Sequence, residues 1–194
     1  MNLLIVAATN DEVLVENLTA CDVLITGIGM VNTSIELSRC LSNKKPDLVI
    51  NIGVAGSFNK SLPLGGVFEI TKDTFSELGV ENNSHFLTFN EIGLNVRNSI
   101  SSKSITNLPS ASSITVNTVH GNKENISSVY DKFKPDLESM EGAACMFVCD
   151  NFKIPCLQIR AISNYVEERN KSKWDLPLAI QQLNIETRKI IEEL

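Results

Sequence analysis

Two glutamates in this chain stand where apolar runs give way to polar residues, and a carboxylate so placed can activate water or hold sugar hydroxyls. Glu12 follows the run Leu3–Ala8, within Thr9-Asn10-Asp11-Glu12-Val13. At the carboxyl end of a strand it can polarise a water; as an acid at a helix start it equally complements the helix dipole. Glu141 opens Gly142-Ala143-Ala144-Cys145-Met146-Phe147-Val148, an almost wholly apolar stretch. A carboxylate beside such a stretch is costly to bury unless paired or hydrogen-bonded. Its two acceptor oxygens suit neighbouring sugar hydroxyls, and a plain helix-start charge is the alternative. Arg160, inside the apolar segment Gln158–Ile162, needs a partner, and a glutamate is the expected one. Asn164 offers a donor and an acceptor where that segment ends, or else closes it as an Asx turn.

Other residue types narrow the chemistry. Gly27-Ile28-Gly29-Met30-Val31-Asn32 allows close backbone approach but departs from the G-x-G-x-x-G dinucleotide pattern. Asn51-Ile52-Gly53-Val54-Ala55-Gly56-Ser57 reads as a small-residue turn after a third strand, either a flat wall for a planar ring or a packing turn. His85 and His120 are the only histidines, and His120, after a strand, reads either as a pocket-lining residue or as a surface-turn one, the second being the expectation. The five cysteines (Cys21, Cys40, Cys145, Cys149 and Cys156) lack metal-ligand spacing, so reduced core thiols in a reducing cytosol are expected and no metal site. No G-x-S-x-G elbow is present, and no base accompanies a serine or cysteine nucleophile.

These groups must be positioned by a scaffold that the apolar pattern outlines. Strand-length runs cover Leu3–Ala8, Val23–Thr26, Leu48–Ile52, Val67–Thr71, Ile114–Val119 and Cys156–Ile162. Helical patterns lie at Val31–Leu41 (apolar at Val31, Ile35, Leu37 and Leu41), Met140–Val148 and Leu176–Leu194. The alternation predicts an α/β layer structure with a mostly parallel sheet, whose ligands bind beyond the carboxyl ends of the strands. Ser99–Ser113 reads as a surface loop, and no repeat divides the 194 residues, so residues 1–194 are expected to form one domain. The N-terminal run lacks a basic flank and is interrupted by Asn10-Asp11-Glu12, so a buried strand is expected rather than a signal peptide. A net charge of −6 gives no footprint for nucleic acid, and no run is long enough for a membrane span. A small molecule in the cytoplasm is the expected partner, with no nucleic acid and no membrane.

The order and flanks of four segments carry a resemblance. Gly27–Asn32, Asn51–Gly56, Ser139-Met140-Glu141-Gly142-Ala143 and Arg160-Ala161-Ile162-Ser163-Asn164 resemble the signature segments of the nucleoside phosphorylase and nucleosidase superfamily, in particular its methylthioadenosine/S-adenosylhomocysteine nucleosidase branch. The resemblance implies a three-layer α/β/α sandwich around a twisted mixed sheet, a purine nucleoside substrate, no cofactor, and a homodimer or larger homo-oligomer. It further implies that Glu12 activates the attacking water with Arg160 nearby, that Met140 and Glu141 hold the ribose, that Ala55 and Gly56 lie beside the purine, and that Ser163 and Asn164 face the base.

Two departures refine what the resemblance implies. Phosphorylases of this kind place an arginine and a serine at phosphate, where this chain has Asn51 and Val54, so water is the expected nucleophile. Asn164 stands where the nucleosidases have an aspartate directed at purine N7. Its amide supplies donors and suits a 6-oxopurine such as hypoxanthine, although an amide also pairs with adenine. The stretch Ser163–Ile180 and the variant Glu138-Ser139-Met140-Glu141-Gly142-Ala143 look like those of futalosine hydrolases, which release hypoxanthine in an alternative route to menaquinone. That likeness implies a carboxylated group beyond the ribose, which Arg169, Lys171 or Lys173 can meet. The competing readings are a methylthioadenosine/S-adenosylhomocysteine nucleosidase and a non-catalytic nucleotide-binding protein.

Overall fold

The computed structural model describes residues 1–14, 21–83 and 85–194. Over these residues the chain runs β1 (Leu3–Ala7), β2 (Asp22–Ile25), α1 (Met30–Asn43), β3 (Leu48–Ser57), β4 (Val67–Phe75), β5 (Gly79–Asn82), β6 (His85–Thr88), β7 (Ser99–Ser101), β8 (Ser110–Thr115), α2 (Lys123–Phe133), β9 (Leu137–Ser139), α3 (Gly142–Phe152), β10 (Cys156–Tyr165) and α4 (Leu176–Glu193).

Strands β3 and β10 form the spine. They pair in parallel from Val49 and Cys156 to Ser57 and Tyr165, with one bulge between Ile162 and Asn164. The other edge of β3 is shared: its first half pairs in parallel with β1, and its end pairs antiparallel with β9 at Gly56–Glu138 and Ser57–Leu137. Strand β10 also pairs antiparallel with β4, β4 in parallel with β8, and β8 in parallel with β9. The pairings β3–β10–β4–β8–β9–β3 therefore close on themselves, with β1 and β2 as an open extension. The sheet is mixed.

The period-2 alternation of strand side chains assigns the layers. Leu4, Val6 and Val49 point to one face, where they pack with Leu37 and Leu41 of α1 and Cys145, Val148 and Cys149 of α3. Ile5, Ile50, Ile52 and Ile159 point to the other, against Ala179, Leu183 and Ile190 of α4. Burying each such side chain contributes roughly 1.5–3 kcal/mol. Three layers, α/β/α, result. Among the described residues no helix is long and apolar enough to cross a membrane.

Several sequence expectations are corrected. The small-residue segment Gly53–Ser57 is no turn; it continues β3, because β10 supplies hydrogen-bonding partners along its whole length. The expected surface loop Ser99–Ser113 contains β7 and most of β8, whose Ala111 and Ser113 are buried. Strand β8 ends at Thr115 rather than Val119. Helix α3 begins at Gly142, leaving Met140 and Glu141 in the connection from β9. The expected apolar stripe of α1 divides: Thr33, Leu37 and Leu41 are buried, whereas Val31 and Ile35 are exposed beside Ile28. Helix α2 was not apparent, although Asn122 caps it by accepting from the Glu124 and Asn125 amides.

Candidate functional site

Backbone geometry dictates where the two glutamates meet the sheet. Glu12 ends a short 3-10 turn, Asn10–Glu12, directly after β1. Its Oε2 accepts from the Thr9 amide at 3.1 Å and the Thr9 hydroxyl at 3.3 Å, while its Oε1 accepts from the Val54 amide of β3 at 3.1 Å. The turn is in turn held from behind by Asn184 of α4, which is fully buried. Asn184 Oδ1 accepts from the Leu14 amide at 2.9 Å, and its Nδ2 donates to the Glu12 carbonyl at 3.0 Å. Gly53 leaves the room this arrangement needs, since a Cβ there would lie 3.1 Å from Glu12 Oε1 and 3.5 Å from Arg160 Nη1.

Glu141 approaches from the opposite element. Its Oε1 accepts from the Gly29 amide at 2.8 Å, at the position that caps α1. Gly29 has φ of +94°, a conformation that favours glycine and turns its N–H toward the carboxylate. Burial pushes the Glu141 carboxyl above its usual range and the Glu12 charge adds to this, while Arg160 and the Gly29 amide oppose it. Glu12, Glu141 and Arg160 thus share one electrostatic environment.

Arg160 is 1% exposed, and its hydrogen-bonding partner is not the expected glutamate. Nη2 donates to Asn51 Oδ1 at 2.6 Å, and Nη1 to the carbonyls of Ile159 and Asn51 at 3.0 and 3.3 Å. The strand pairing Gln158–Asn51 and Arg160–Gly53 explains this: the side chain lies back along β3 and meets Asn51 first. Its charge reaches Glu141 without a direct bond.

A second group of residues lies farther along β3 and β10, where Asn164 pairs with Gly56. Gly56 lies three positions beyond Gly53, about 10 Å of strand. Asn164 Nδ2 donates to the Tyr165 carbonyl at 3.1 Å, which fixes the amide with its nitrogen against Gly56, and Oδ1 accepts from Ser163 Oγ at 2.8 Å. Ser163 itself is buried. Ala55 does not face this cleft; its methyl packs with Phe68, Ile70 and Ile162 inside the closed ring of strands. The cleft is lined by Gly56, Asn164, His120, Glu138, Arg169 and Trp174.

Of the two readings of His120, as a pocket-lining residue or a surface-turn one, the structure gives the first, and its partner Glu138 was not legible as a site residue. His120 is no surface-turn residue. Its amide donates to Glu138 Oε1 at 2.9 Å and its Nδ1 pairs with Glu138 Oε2, while Glu138 is only 4% exposed. Arg169 sits over the Trp174 ring, 5.5 Å from its centroid, and Lys173 pairs with Glu167 at 2.8 Å. Asp73 is a further buried acid, raised to about 6 by burial, against hydrogen bonds from Gln158 and Thr115. Thr115 also accepts from the Ala143 amide at 2.8 Å, so this network holds the start of α3 just behind Glu141.

The cysteines are scattered in sequence but not in space. The sulfurs of Cys145, Cys149 and Cys156 lie within 4.8 Å of one another, in the apolar layer between α3 and the sheet. Hydrogen bonding to Cys149 and Cys156, together with burial, holds the Cys145 thiol well above its usual range, which suits packed S–H groups.

Comparison with known proteins gives a consistent picture. The family model described as the phosphorylase superfamily matches residues 15–194. An aminodeoxyfutalosine nucleosidase of Campylobacter jejuni is 27% identical over 161 residues, covering 76% of this chain and 69% of the relative. A futalosine hydrolase of Streptomyces coelicolor is 24% identical over 183 residues, covering 84% and 74%. The solved structure of 5′-methylthioadenosine/S-adenosylhomocysteine nucleosidase from Helicobacter pylori, with butyl-thio-DADMe-Immucillin-A, superposes with a TM-score of 0.86 at 19% identity, covering 100% of this chain and 99% of that one.

Proposed function

Because the chain belongs to the phosphorylase superfamily, we propose that it hydrolyses the N-glycosidic bond of a purine nucleoside, with futalosine as substrate and hypoxanthine and dehypoxanthine futalosine as products. This places it in an alternative route to menaquinone. The observation that carries the reading is the pair of carboxylates, Glu12 and Glu141, remote in sequence yet near enough for their charges to interact, Glu12 on the Val54 amide of β3 and Glu141 on the Gly29 amide, with Asn164 of β10 opposite Gly56. A passive nucleotide binder has little use for two carboxylates beside one sugar.

In this reading the ribose lies between Glu141, supported by Met140, and the β3 backbone at Gly53. The purine lies over Gly56, where the remaining N–H of the Asn164 amide donates to N7 as negative charge develops on the departing base. Glu12 takes a proton from a water that attacks the anomeric carbon through an oxocarbenium-like state. The water oxygen ends on the sugar with one of its hydrogens, the base leaves as an anion that takes a proton from solvent, and Glu12 returns its proton to solvent. Arg160 stabilises the charge of Glu141, which it reaches without a direct bond. Its burial against Asn51 leaves no cation for phosphate there, which supports hydrolysis over phosphorolysis. No metal or organic cofactor enters the scheme. The exposed Val31 and Ile35 of α1 and Ile28 just before it support assembly into a homodimer or larger homo-oligomer.

The test is chromatography of products from futalosine, aminodeoxyfutalosine, inosine and methylthioadenosine, with and without phosphate. The expected result is phosphate-independent release of hypoxanthine from futalosine, reduced roughly 10²–10⁴-fold in Glu12→Gln, the range of a general base. Methylthioadenosine as the preferred substrate assigns the chain to that nucleosidase activity instead. Tight nucleotide binding without base release overturns the enzymatic reading.

A further inference from the structure

The cleft around Asn164 contains a histidine and a buried acid that the proposed chemistry leaves without a task. Both oxygens of Glu138 are occupied by one residue: Oε1 by the His120 amide, Oε2 by His120 Nδ1. The cross-strand pair Gly56–Glu138 fixes this acid beside the bare stretch of β3, and the closure of the strand ring through β9 sets that pair. A carboxylate that is 4% exposed needs such compensation. With Nδ1 committed to Glu138, Nε2 is the only other polar atom of the ring, and among the described residues it has no hydrogen bond to protein. His120 and Asn164 line the same cleft.

We propose that His120, oriented by Glu138, determines the base specificity of this cleft, its Nε2–H selecting a purine with an oxygen at position 6 over one with an amino group. The proposal rests on the reading of the chain as a purine nucleosidase and names the base it takes. With Asn164 on N7 at the Gly56 side, a second donor in the cleft meets the six-membered ring. A 6-oxopurine offers it an acceptor, O6. A 6-aminopurine sets its own N–H groups against that donor.

The protonation state of His120 decides the sign. The hydrogen bond to Glu138 raises its pKa, burial opposes this, and the charges of Glu138 and Glu77 add to the rise. The charged groups around the ring are Glu138 on β9, Glu77 beyond β4, and Glu167 and Arg169 in the segment after β10. As an imidazolium, His120 has Nε2–H as a donor. Once the proton is lost, Nδ1 keeps its hydrogen for Glu138 and Nε2 becomes an acceptor, which suits an amino group. Preference for the 6-oxo base is therefore present below the raised pKa and falls as pH rises through it.

The experiment measures kcat/KM for futalosine and aminodeoxyfutalosine from mildly acidic to mildly alkaline pH, in the parent, His120→Gln and Glu138→Gln. Binding of free hypoxanthine and adenine by calorimetry reads the same ratio without turnover. Expected are a ratio that falls with rising pH in the parent and a flat ratio in His120→Gln, reduced roughly tenfold to hundredfold at acidic pH, the range of a hydrogen bond to a charged group. Glu138→Gln keeps the imidazole but withdraws its counter-charge, so its transition moves to lower pH. A ratio in His120→Gln equal to the parent's at every pH, by turnover and by binding, overturns the proposal. Absent base release with intact base discrimination overturns the cleavage reading alone.

Discussion

Replacing Asn184 by alanine tests whether the C-terminal helix positions Glu12, the carboxylate proposed to activate water, from behind. Asn184 is fully buried in α4 and holds both sides of the turn that carries Glu12, accepting from the Leu14 amide and donating to the Glu12 carbonyl. Its third bond, to the Ile180 carbonyl, stays within the helix. Alanine leaves an amide and a carbonyl without partners in a part-buried place. Each lost hydrogen bond costs about 1 kcal/mol, and each orphaned group more if water does not reach it, so the loss is about 2–4 kcal/mol. At roughly 2–4 °C per kcal/mol, the melting temperature falls by about 4–16 °C. The catalytic consequence is separate. Glu12 keeps its side-chain bonds to Thr9 and Val54, but the backbone beneath it is released, and displacement approaching 1 Å lowers kcat by up to about 10²-fold with less change in KM. Kinetics of hypoxanthine release, run well below the melting temperature, give the readout. Ile190→Val, on the same helix and away from the turn, is the control, costing about 0.5–1.5 kcal/mol with kcat intact. If Asn184→Ala melts lower yet turns over at the parent rate, Glu12 does not depend on this clamp and the reasoning fails.

Two further outcomes follow from the buried acids. Glu141→Gln keeps an acceptor for the Gly29 amide but removes the charge offered to the ribose, so kcat/KM falls roughly tenfold to hundredfold. The parent loses activity as pH falls through the raised Glu141 pKa, and the variant's pH profile should lack that acidic limb; an unchanged limb assigns it to another group. Asp73 binds its proton more tightly folded than unfolded, at about 6 against the usual 3.8, so stability declines as pH rises between these values. The full decline is at most about 3 kcal/mol, and Asp73→Asn, with Gln158 turned to present its otherwise unpaired Oε1, should flatten it. Urea unfolding at about pH 4 and about pH 7 compares the two proteins, and parallel pH dependence refutes the assignment.

What was legible in the sequence was local. Strands β1, β3 and β10 announce themselves by runs of Val, Ile and Leu, because strands buried on both faces read as continuous apolar segments. Helix α4 shows its period and its Asp175-Leu176-Pro177 start, where Asp175 accepts from the Leu178 amide. Only the end of β8, Ile114-Thr115, was legible, since Ser110-Ala111-Ser112-Ser113 has the composition of a loop and becomes strand only through pairing with β4 and β9. Helix α2, with two lysines and little apolar content, needs the sheet edge to cover Val129 and Phe133.

The polar residues that flank apolar runs were also readable, and Glu12, Glu141 and Asn164 were singled out as candidates in this way. Their partners were not. Arg160 meets Asn51 across 109 positions, Asn184 meets Glu12 across 172, and even the nearer pair His120 and Glu138, 18 apart, is divided by helix α2, so no period within one element links them. Periodicity encodes which face of an element is apolar, and therefore the layers. Which polar atoms then lie within about 3 Å of each other depends on strand order, on the β10 bulge and on the closure of the ring through β9. These are properties of the whole packed chain, because a hydrogen bond forms only after many distant contacts have already fixed the positions of its two ends.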